Sequence, residues 1–441
     1  MSSIRNVSLG GVGILACIGA IGLFVVSTSA ATQTANGGGV TFTKDVAPIL
    51  QQNCQVCHRP GSIGPMSFLT YEEVRPWARA MKTQVAKRAM PPWTLDRTVG
   101  IQQMKNDRSL SDDAIATIVK WVDSGAPRGN PADMPPPREF GDVSKWTFGE
   151  PNLIIPIPEP YVVDPQAPNA WVDLWVDIAD FGITEDRWIK AVETKPSLEG
   201  FPVVHHASTW MYNDAWEENE QSQRLGEYAV GKMADIFPDG TGRLLQAGTR
   251  IRFNMHYAAN GERTTDRTSL GLTLYPKGYV PTHKIIQNSI GSVQDLDLPP
   301  GESNIRHDGY NVLTSNIRMT VFQPHLHNRG KRQCLEAIYP GGRVETLNCV
   351  NWDFGWHIPY NYEDDAQPLL PKGTILHLMT WHDNSTANKW NPDPTNWVGY
   401  GNRTSDDMAF AHVSWYTLTD EEFAEHLQER QRKPAQTQAG R

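Results

Sequence analysis

The apolar pattern of the chain changes across residues 127–141, a segment that holds five prolines. Before this segment, apolar residues recur at helical spacing, as in residues 115–122. After it the pattern becomes strand-like, as in residues 171–178, and no long amphipathic helix is indicated before residues 420–431. Because proline-rich segments act as semi-rigid spacers, this change predicts a helical N-terminal domain separated from a β-rich body.

The length of 441 residues suffices for two or three cores, so we predict a multidomain chain. The expected fold class is a small all-α domain followed by two mainly antiparallel, jelly-roll-like β-sandwich domains. The expected segments are a targeting segment (1–30), the all-α domain (40–127), a proline-rich linker (128–148), the first β-sandwich (149–278), the second β-sandwich (279–420), and a short helix with a polar tail (421–441). The net charge of -9 and the lack of a basic run argue against nucleic acid as a partner.

Residues 1–30 have the pattern of a secretory signal peptide. Arg5 precedes an almost wholly apolar run at 12–26, and residues 27–31 are small, as cleavage by a signal peptidase requires. The sequence therefore predicts a periplasmic or secreted protein. Contact with a membrane is expected only if the signal remains as an uncleaved anchor.

Two capping signals mark helices in the N-terminal part. Thr70 and Glu73 fit a capping box that opens a helix reaching about Lys87. Ser111 can cap a second helix, which Gly125 would close.

The sequence Cys54-Gln55-Val56-Cys57-His58 is the attachment signature of a c-type haem. In an exported chain, each thiol can bond to a haem vinyl group while His58 supplies a ligand to the iron. A redox-active dithiol or half of a zinc site is the competing interpretation, and no second C-x-x-C supports it. We therefore predict covalently bound haem c and expect residues 40–127 to form a c-type cytochrome domain.

A methionine from a later loop usually supplies the sixth ligand to such a haem. Met90 precedes two prolines that end the helix and stiffen the loop, so we prefer it as this ligand. Met66 is the second candidate. Met81 lies inside the predicted helix and is expected to pack in a core.

Cys334 and Cys349 are the cysteines left when the signal segment and the haem motif are set aside. The segment between them is typical of a hairpin, with a two-residue turn at Gly341 and Gly342. In that register the two cysteines face each other, so in an oxidising compartment we expect a cross-strand disulfide.

Histidines that could bind a metal cluster at three places in the β-rich part. His325 and His327 follow an apolar, β-branched segment, so on an extended chain both rings leave the same face. His205 and His206 are adjacent and can share one metal only if the strand bulges, twists or ends there. His256 lies on the next predicted strand and could complete a three-imidazole site. We expect the remaining histidines to be structural or solvated: His283, His307, His357, His377, His382, His412 and His426.

The order of these motifs resembles that of the type II copper, ascorbate-dependent monooxygenases, a family that hydroxylates peptides and catecholamines. The resemblance covers roughly the last half of the chain. It rests on six motifs in the same order as in the family. They are His205-His206, Asn254-Met255-His256-Tyr257, the segment 324–331 with its H-x-H pair (His325 and His327), Asp383-Asn384-Ser385, Asn391-Pro392-Asp393-Pro394 and Asp406-Asp407-Met408. The N-terminal part also looks like the cytochrome module that precedes this catalytic region in some bacterial proteins.

The resemblance implies an enzyme that uses two copper ions to hydroxylate a C–H bond of a small organic substrate with O2. One copper would store and pass an electron, with the ligands His205, His206 and His256. The other would meet O2 and the substrate, with the ligands His325, His327 and Met408. We expect the haem to take the place of ascorbate and to relay electrons from a periplasmic donor.

The chain departs from the family at two positions. The peptide-hydroxylating enzyme holds the substrate carboxylate with an Arg and a Tyr, where this sequence has Gln323 and His412. A peptide substrate with a free carboxylate is therefore not expected, and His412 could contact another substrate or be structural. The competing functions are a non-catalytic periplasmic electron-transfer protein with haem and copper, and a zinc hydrolase, for which no H-E-x-x-H base is present.

Overall fold

The computed structural model describes residues 39–60, 62, 64, 66–140, 144–167, 170–215, 222–229 and 234–439. The predicted signal segment at 1–30 lies outside these residues. Val40–Arg441 form one compact unit. Within the described ranges, no helix combines the length and the apolar character needed to cross a membrane.

Helices lie in the N-terminal part and at the C-terminal end of the chain. They are α1 (Ala47–Asn53), α2 (Tyr71–Val74), α3 (Ala78–Ala86), α4 (Asp112–Asp123) and α5 (Asp420–Ala439). Shorter helical turns lie at Phe42–Val46, Arg75–Trp77, Pro131–Asp133, Ile178–Phe181 and Asp364–Ala366. Both predicted caps are confirmed, because Thr70 and Glu73 form a reciprocal capping box and the Ser111 side chain accepts from the Ala114 backbone. The last helix runs beyond residue 431, into the segment predicted as a tail.

Strands make up most of the remaining structure. The N-terminal part contributes β1 (Leu95–Gly100). The first β half contains β2 (Leu153–Pro156), β3 (Tyr161–Val163), β4 (Ala170–Asp177), β5 (Arg187–Lys195), β6 (Val204–Tyr212), β7 (Ser222–Ala229), β8 (Asp235–Ile236), β9 (Thr241–Leu245), β10 (Arg250–Tyr257), β11 (Thr264–Asp266) and β12 (Ser269–Leu274). The second contains β13 (His283–Ile290), β14 (Asp297–Leu298), β15 (Ile305–Val312), β16 (Asn316–His325), β17 (Gly330–Ile338), β18 (Val344–Asn351), β19 (Tyr360–Asn361), β20 (Leu369–Leu370), β21 (Ile375–His382), β22 (Val398–Gly399) and β23 (Phe410–Leu418).

Three large sheets enclose two hydrophobic cores. A ten-stranded sheet contains the path β19-β16-β23-β13-β9-β5-β12-β2, and β20 and β8 pair beside it. Its β9-β5-β12-β2 part shares a core with the four-stranded sheet β4-β10-β6-β7. Its β19-β16-β23-β13 part shares the other core with the five-stranded sheet β1-β18-β17-β21-β15. The two halves join where β13 pairs in parallel with β9, with His283 opposite Thr241.

The predicted fold class is wrong. The described residues contain no separate all-α cytochrome domain, because β1, which lies inside the predicted helical domain, pairs with β18. Trp93, Leu95 and Met104 pack into the second β core, although α1, α3 and α4 surround a small core of their own. The two β halves also share one sheet, since the ten-stranded sheet passes through both. An apolar period shows which face of an element is buried but not which element covers it, so these connections could not be predicted.

The predicted disulfide between Cys334 and Cys349 is confirmed, and the two residues lie opposite each other on β17 and β18. The turn differs from the prediction, because Tyr339 pairs with Arg343 and three residues lie between them. A bulge next to Leu335 then shifts the register by one residue and brings the cysteines opposite each other.

Candidate metal centres

His205, His206 and His256 lie together at the end of the four-stranded sheet. His256 on β10 pairs with His206 on β6, and Tyr257 pairs with Val204. His205 is therefore an extra, bulged residue on β6, and the bulge lets adjacent histidines share one side. One nitrogen of each ring lies within 4.8 Å of the other two. Among the described residues, this is the only group of three or more His, Cys, Asp or Glu side chains with that spacing.

The chemistry of these three rings fits a metal ion. His256 is buried, and neither of its ring nitrogens has a hydrogen-bond partner among the described residues. Buried polar atoms are nearly always paired, so two orphaned nitrogens indicate a missing ligand. Trp171 stacks on His256 with ring centroids 4.0 Å apart, which fixes the ring plane.

The electrostatics of the three-histidine set also suit a metal. Burial lowers the pKa of His205, and it lowers that of His206 well below the ordinary value. Burial, helped by the neighbouring His205, lowers the pKa of His256 to about 4. All three rings are therefore neutral near pH 7, which is the form that binds a metal.

His325 and His327 form a second set at the end of β16. His325 is the last residue of this strand, and its ring centroid lies 5.5 Å from that of His327. Nδ1 of His327 donates to the carbonyl oxygen of Asp406 at 3.1 Å. That bond leaves Nε2 of His327 for a metal, which is the usual arrangement of a histidine ligand. Burial and the neighbouring imidazoles lower the pKa of His325 well below its ordinary value.

The chain around Met408 lies against the H-x-H pair. The fully buried carboxylate of Asp407 accepts hydrogen bonds from the backbone nitrogens of His327 and Arg329, both at 2.9 Å. Met408 follows directly and is 9% exposed, and its carbonyl oxygen accepts from Nε2 of His382 at 3.2 Å. The fold thus brings the backbone of Met408 next to His327, although the two are distant in sequence.

Arg329 connects the distant sequence motifs of this region. It is 1% exposed, and its guanidinium donates to the Asn384 side chain at 2.7 Å. It also donates to the carbonyl oxygens of Ser405 at 3.0 Å and Asp393 at 3.3 Å. The Asp383, Asn391 and Asp406 motifs therefore form one hydrogen-bonded frame behind the second histidine set.

His357 is the residue that sequence analysis missed. It was expected to be structural or solvated, but its ring lies between the two histidine sets. The ring centroids are 6.3 Å from His206 and 5.7 Å from His325. Its loop, between β18 and β19, has no helix or strand period, so no sequence pattern linked it to either set.

Gln323, on β16, is 2% exposed. Its amide nitrogen donates to the buried carboxylate of Glu227 at 2.8 Å. Its amide oxygen accepts from Arg224 at 3.3 Å. Both ends of the amide are therefore engaged inside the protein, where β16 meets β7.

The haem motif forms the turn that follows α1. Cys54 and Cys57 are free thiols, and burial raises the pKa of Cys54 to about 12. Nδ1 of His58 donates to the carbonyl oxygen of Met66 at 3.3 Å, and the ring stacks on Phe68 with centroids 4.4 Å apart. Because Nδ1 is engaged, Nε2 is the nitrogen left for iron, so the motif fits a haem.

The haem motif also lies near the second β half. Burial raises the pKa of Cys57, and the charge of Arg108 opposes this rise. Arg108 interacts electrostatically with Tyr360 on β19. Tyr360 pairs with Phe322 on β16, three residues before His325.

The three methionines considered in the search for a sixth haem ligand, Met66, Met81 and Met90, have different surroundings. Met81 is buried in the helical core, as expected. Met90 is half-buried and borders a small cleft with Trp93, Leu110 and Ile115. Met66 is half-buried beside the helical core.

No protein-family model and no curated protein matches the chain. Solved structures with local similarity include the major capsid protein P2 of bacteriophage PM2, at 7% identity and a TM-score of 0.30, covering 61% of this chain and 99% of that protein. Another is PNGF-II, at 10% identity and a TM-score of 0.28, covering 60% of this chain and 65% of that protein. Scores at this level carry no argument about family or function.

Proposed function

We propose that this protein is an exported monooxygenase that hydroxylates a C–H bond of a small organic substrate with O2, using two copper ions and one covalently bound haem c. One observation carries the proposal. A ring nitrogen of each of His205, His206 and His256 lies within 4.8 Å of the other two, a spacing that allows all three to bind one metal ion. A second set, His325 and His327, lies in the same compact unit.

The donor types favour copper at both sets. Imidazoles bind copper, zinc, iron and nickel, but a thioether donor such as Met408 selects Cu(I). The order of the motifs, which resembles the copper monooxygenases, assigns Met408 to the second set. When bound, the copper ions would supply the activation of O2 and the oxidation of the C–H bond, and the haem would supply electrons.

The residues of the chain hold these donors in place. Trp171 fixes the plane of His256, and the Asp406 carbonyl oxygen fixes the tautomer of His327. Asp407 and Arg329 hold the loops of the second set by hydrogen bonds to buried groups. Donors restrained in this way keep their geometry during electron transfer and during substrate binding and release.

The haem would be attached at Cys54 and Cys57, with His58 as a ligand to its iron. The Met66 carbonyl oxygen bonds Nδ1, on the side of the His58 ring away from Nε2. Met90 would supply the sixth ligand rather than Met66, because the Met66 backbone lies on the Nδ1 side of the His58 ring. The haem would pass electrons from a periplasmic donor to the histidine sets, and Arg108, which interacts with both Cys57 and Tyr360, shows that the haem motif lies close to the second β half.

The substrate class follows from what surrounds Gln323. Its amide is bonded to Glu227 and Arg224, and no arginine stands at its position to bind a carboxylate. We therefore propose a small organic substrate without a free carboxylate at the hydroxylated end.

The test is to count metals in the full chain matured in a periplasm, then to mix the reduced protein with O2. We expect one iron and two copper ions per chain, and rapid reoxidation of both metals by O2 in the presence of a hydroxylatable compound. His256→Ala should lose one copper, and the control His283→Phe, outside both sets, should keep two. A chain without copper contradicts the proposal, and a copper-loaded protein that O2 does not reoxidise is an electron-transfer protein instead.

A further inference from the structure

We propose that Trp171 lowers the reduction potential of the first copper ion and so makes that ion the electron donor of the copper pair. This inference rests on the proposed function, since it concerns an ion which that function assigns to His205, His206 and His256. It gives Trp171 a role beyond holding the plane of the His256 ring, because the indole then acts electrostatically on the bound ion.

The register of three strands places Trp171 beside two of the three ligands. Trp171 on β4 lies directly opposite His256 on β10, and His206 on β6 lies opposite His256 on its other side. Side chains directly opposite each other on one face of an antiparallel pair have Cβ atoms about 4.5–5.5 Å apart. The three rings therefore form one row across the sheet, and strand pairing fixes the contact between the indole and the imidazoles.

The indole of Trp171 presents its face to the imidazole of His256. The ring centroids are 4.0 Å apart and the ring planes are inclined by only 8°. The centroid of the indole also lies 4.9 Å from that of His206, with the planes inclined by 60°. Trp171 thus contacts two of the three imidazoles, and its π face covers one of them.

Trp171 is not a core residue. Its neighbours Val172 and Leu174 pack against the hydrophobic core of the first β half, so the alternation of the strand places Trp171 on the opposite face. There it is 46% exposed. Trp175, four residues along the same strand and on the same face, is 42% exposed, and its ring packs edge-on against Tyr212. Because the two tryptophans differ in the ring that they contact and not in exposure, Trp175 is a matched control.

The stack on His256 favours the oxidised state of a bound copper ion. The face of an aromatic ring carries negative electrostatic potential, and tryptophan attracts cations more strongly than tyrosine or phenylalanine. An imidazole bound to copper carries part of the charge of the ion, and this charge is larger for Cu(II) than for Cu(I). The indole of Trp171 therefore stabilises Cu(II) more than Cu(I), which lowers the reduction potential of the first copper.

The second histidine set has a weaker aromatic partner. Phe410 stacks on His325, with ring centroids 4.5 Å apart and planes inclined by 23°. A phenyl face attracts a cation less than an indole face does. The thioether of Met408, which the proposed function assigns to this set, favours Cu(I). Both differences raise the reduction potential of the second copper above that of the first.

This order of potentials directs an electron from the first copper to the second. In that transfer the first ion is oxidised from Cu(I) to Cu(II) and the second is reduced from Cu(II) to Cu(I), so one electron moves and no proton is needed. Removal of the Trp171 indole should narrow the difference between the two potentials.

The test uses the full-length, haem-matured and copper-loaded protein as wild type, Trp171→Phe, Trp171→Leu and the control Trp175→Leu. The reduction potential of each copper is measured by a redox titration followed by electron paramagnetic resonance. The signal that His256→Ala lacks identifies the first copper. Copper is counted per chain in every sample.

We expect the potential of the first copper to rise from the wild type to Trp171→Phe and again to Trp171→Leu. In Trp171→Leu the ratio of the affinities for Cu(II) and Cu(I) should fall roughly 2- to 30-fold. Trp175→Leu should match the wild type, and the second copper should keep its potential in all variants.

Fluorinated tryptophan separates the electrostatic effect of the indole from the loss of a packed ring. Fluorotryptophan keeps the shape of the indole, but the fluorine withdraws electron density from its face. Incorporated into the wild type, it should raise the potential of the first copper. Incorporated into Trp171→Phe, it should leave that potential unchanged, which controls for the other tryptophans. This comparison does not depend on the fold of the leucine variant.

Two results would overturn the inference alone: equal potentials of the first copper in the wild type and in Trp171→Leu, or a potential that fluorination of the wild type does not change. A wild type that binds no copper at the three-histidine set would contradict the proposed function itself.

Discussion

Asp407 accepts a hydrogen bond from the backbone nitrogen of His327 at 2.9 Å, across 80 residues of sequence. Its carboxylate also lies 3.3 Å from Nε2 of His382. Burial alone would raise the pKa of Asp407, but His382 and the bonds from His327 outweigh it and lower the pKa. The group is therefore ionised and acts only as an acceptor, and it sets the position of the H-x-H pair relative to Met408.

Asp407→Asn is expected to loosen the second histidine set. The side-chain amide of this variant would direct an NH2 group at the backbone N–H groups of His327 and Arg329, which need an acceptor. A buried donor without an acceptor costs about 1–3 kcal/mol. We expect a lower free energy of unfolding in denaturant and loss of copper from the second site alone. Asp406→Asn is the control, because its side chain pairs with the exposed Arg403 and its backbone carbonyl is unchanged. Full retention of both copper ions and of stability in Asp407→Asn would refute this role.

Gly64→Ala is expected to disturb the haem site. A Cβ at Gly64 would lie 2.7 Å from both Nδ1 of His58 and the carbonyl oxygen of Cys57, closer than real contacts allow. His58 must then shift, and its hydrogen bond to Met66 weakens. We expect less covalent haem per chain and an altered reduction potential, measured by absorbance and potentiometry.

The control for this substitution is Ser62→Ala in the same loop. It removes only an exposed hydrogen bond to the Val56 carbonyl oxygen, so haem content and potential should stay as in the wild type. Equal values for Gly64→Ala and the wild type would show that His58 does not depend on this contact.

Replacing Cys334 and Cys349 together by alanine is expected to lower the free energy of unfolding by about 3 kcal/mol, because the disulfide closes a loop of about 15 residues in the unfolded chain. The pair packs against Met379 on the five-stranded sheet, outside both histidine sets, so the copper content should not change. Denaturant unfolding of the variant is compared with that of the oxidised wild type. The wild type under reducing conditions should unfold like the variant. Coincident transitions for the variant and the oxidised wild type would contradict it.

The copper-free protein is expected to lose stability as the pH falls from 6.5 towards 4. Burial holds the pKa of His256 and of His357 at about 4 in the folded protein, below the ordinary value of 6.5. Between these values the unfolded chain binds more protons than the folded one, so acidification favours unfolding. Unfolding midpoints at several pH values measure this effect.

Two comparisons test the cause of that pH dependence. The double variant His256→Phe, His357→Phe should give a flatter profile, since it removes two groups that protonate on unfolding. Copper should raise the midpoint most at neutral pH, where it does not compete with protons for the rings. A copper-free profile that is flat between pH 6.5 and 4 would rule out the explanation.

Features that depend on near neighbours in the chain could be predicted. The Thr70 and Ser111 caps need a side chain and a backbone group only three residues apart. The pairing of Cys334 with Cys349 follows from one hairpin. Even there, the predicted turn was one residue too short, and a bulge next to Leu335 made up the difference.

Tertiary structure alone decided the shared ten-stranded sheet, the insertion of β1 into the second β half and the placing of His357. Each depends on groups far apart in sequence, and a local apolar period carries no information about which partner covers a buried face. The sequence by itself predicted that the imidazoles of His205, His206 and His256 could bind one metal. The bulge at His205 was decided by the pairing of β6 with β10, because a one-residue shift in a ladder changes the side on which a ring lies.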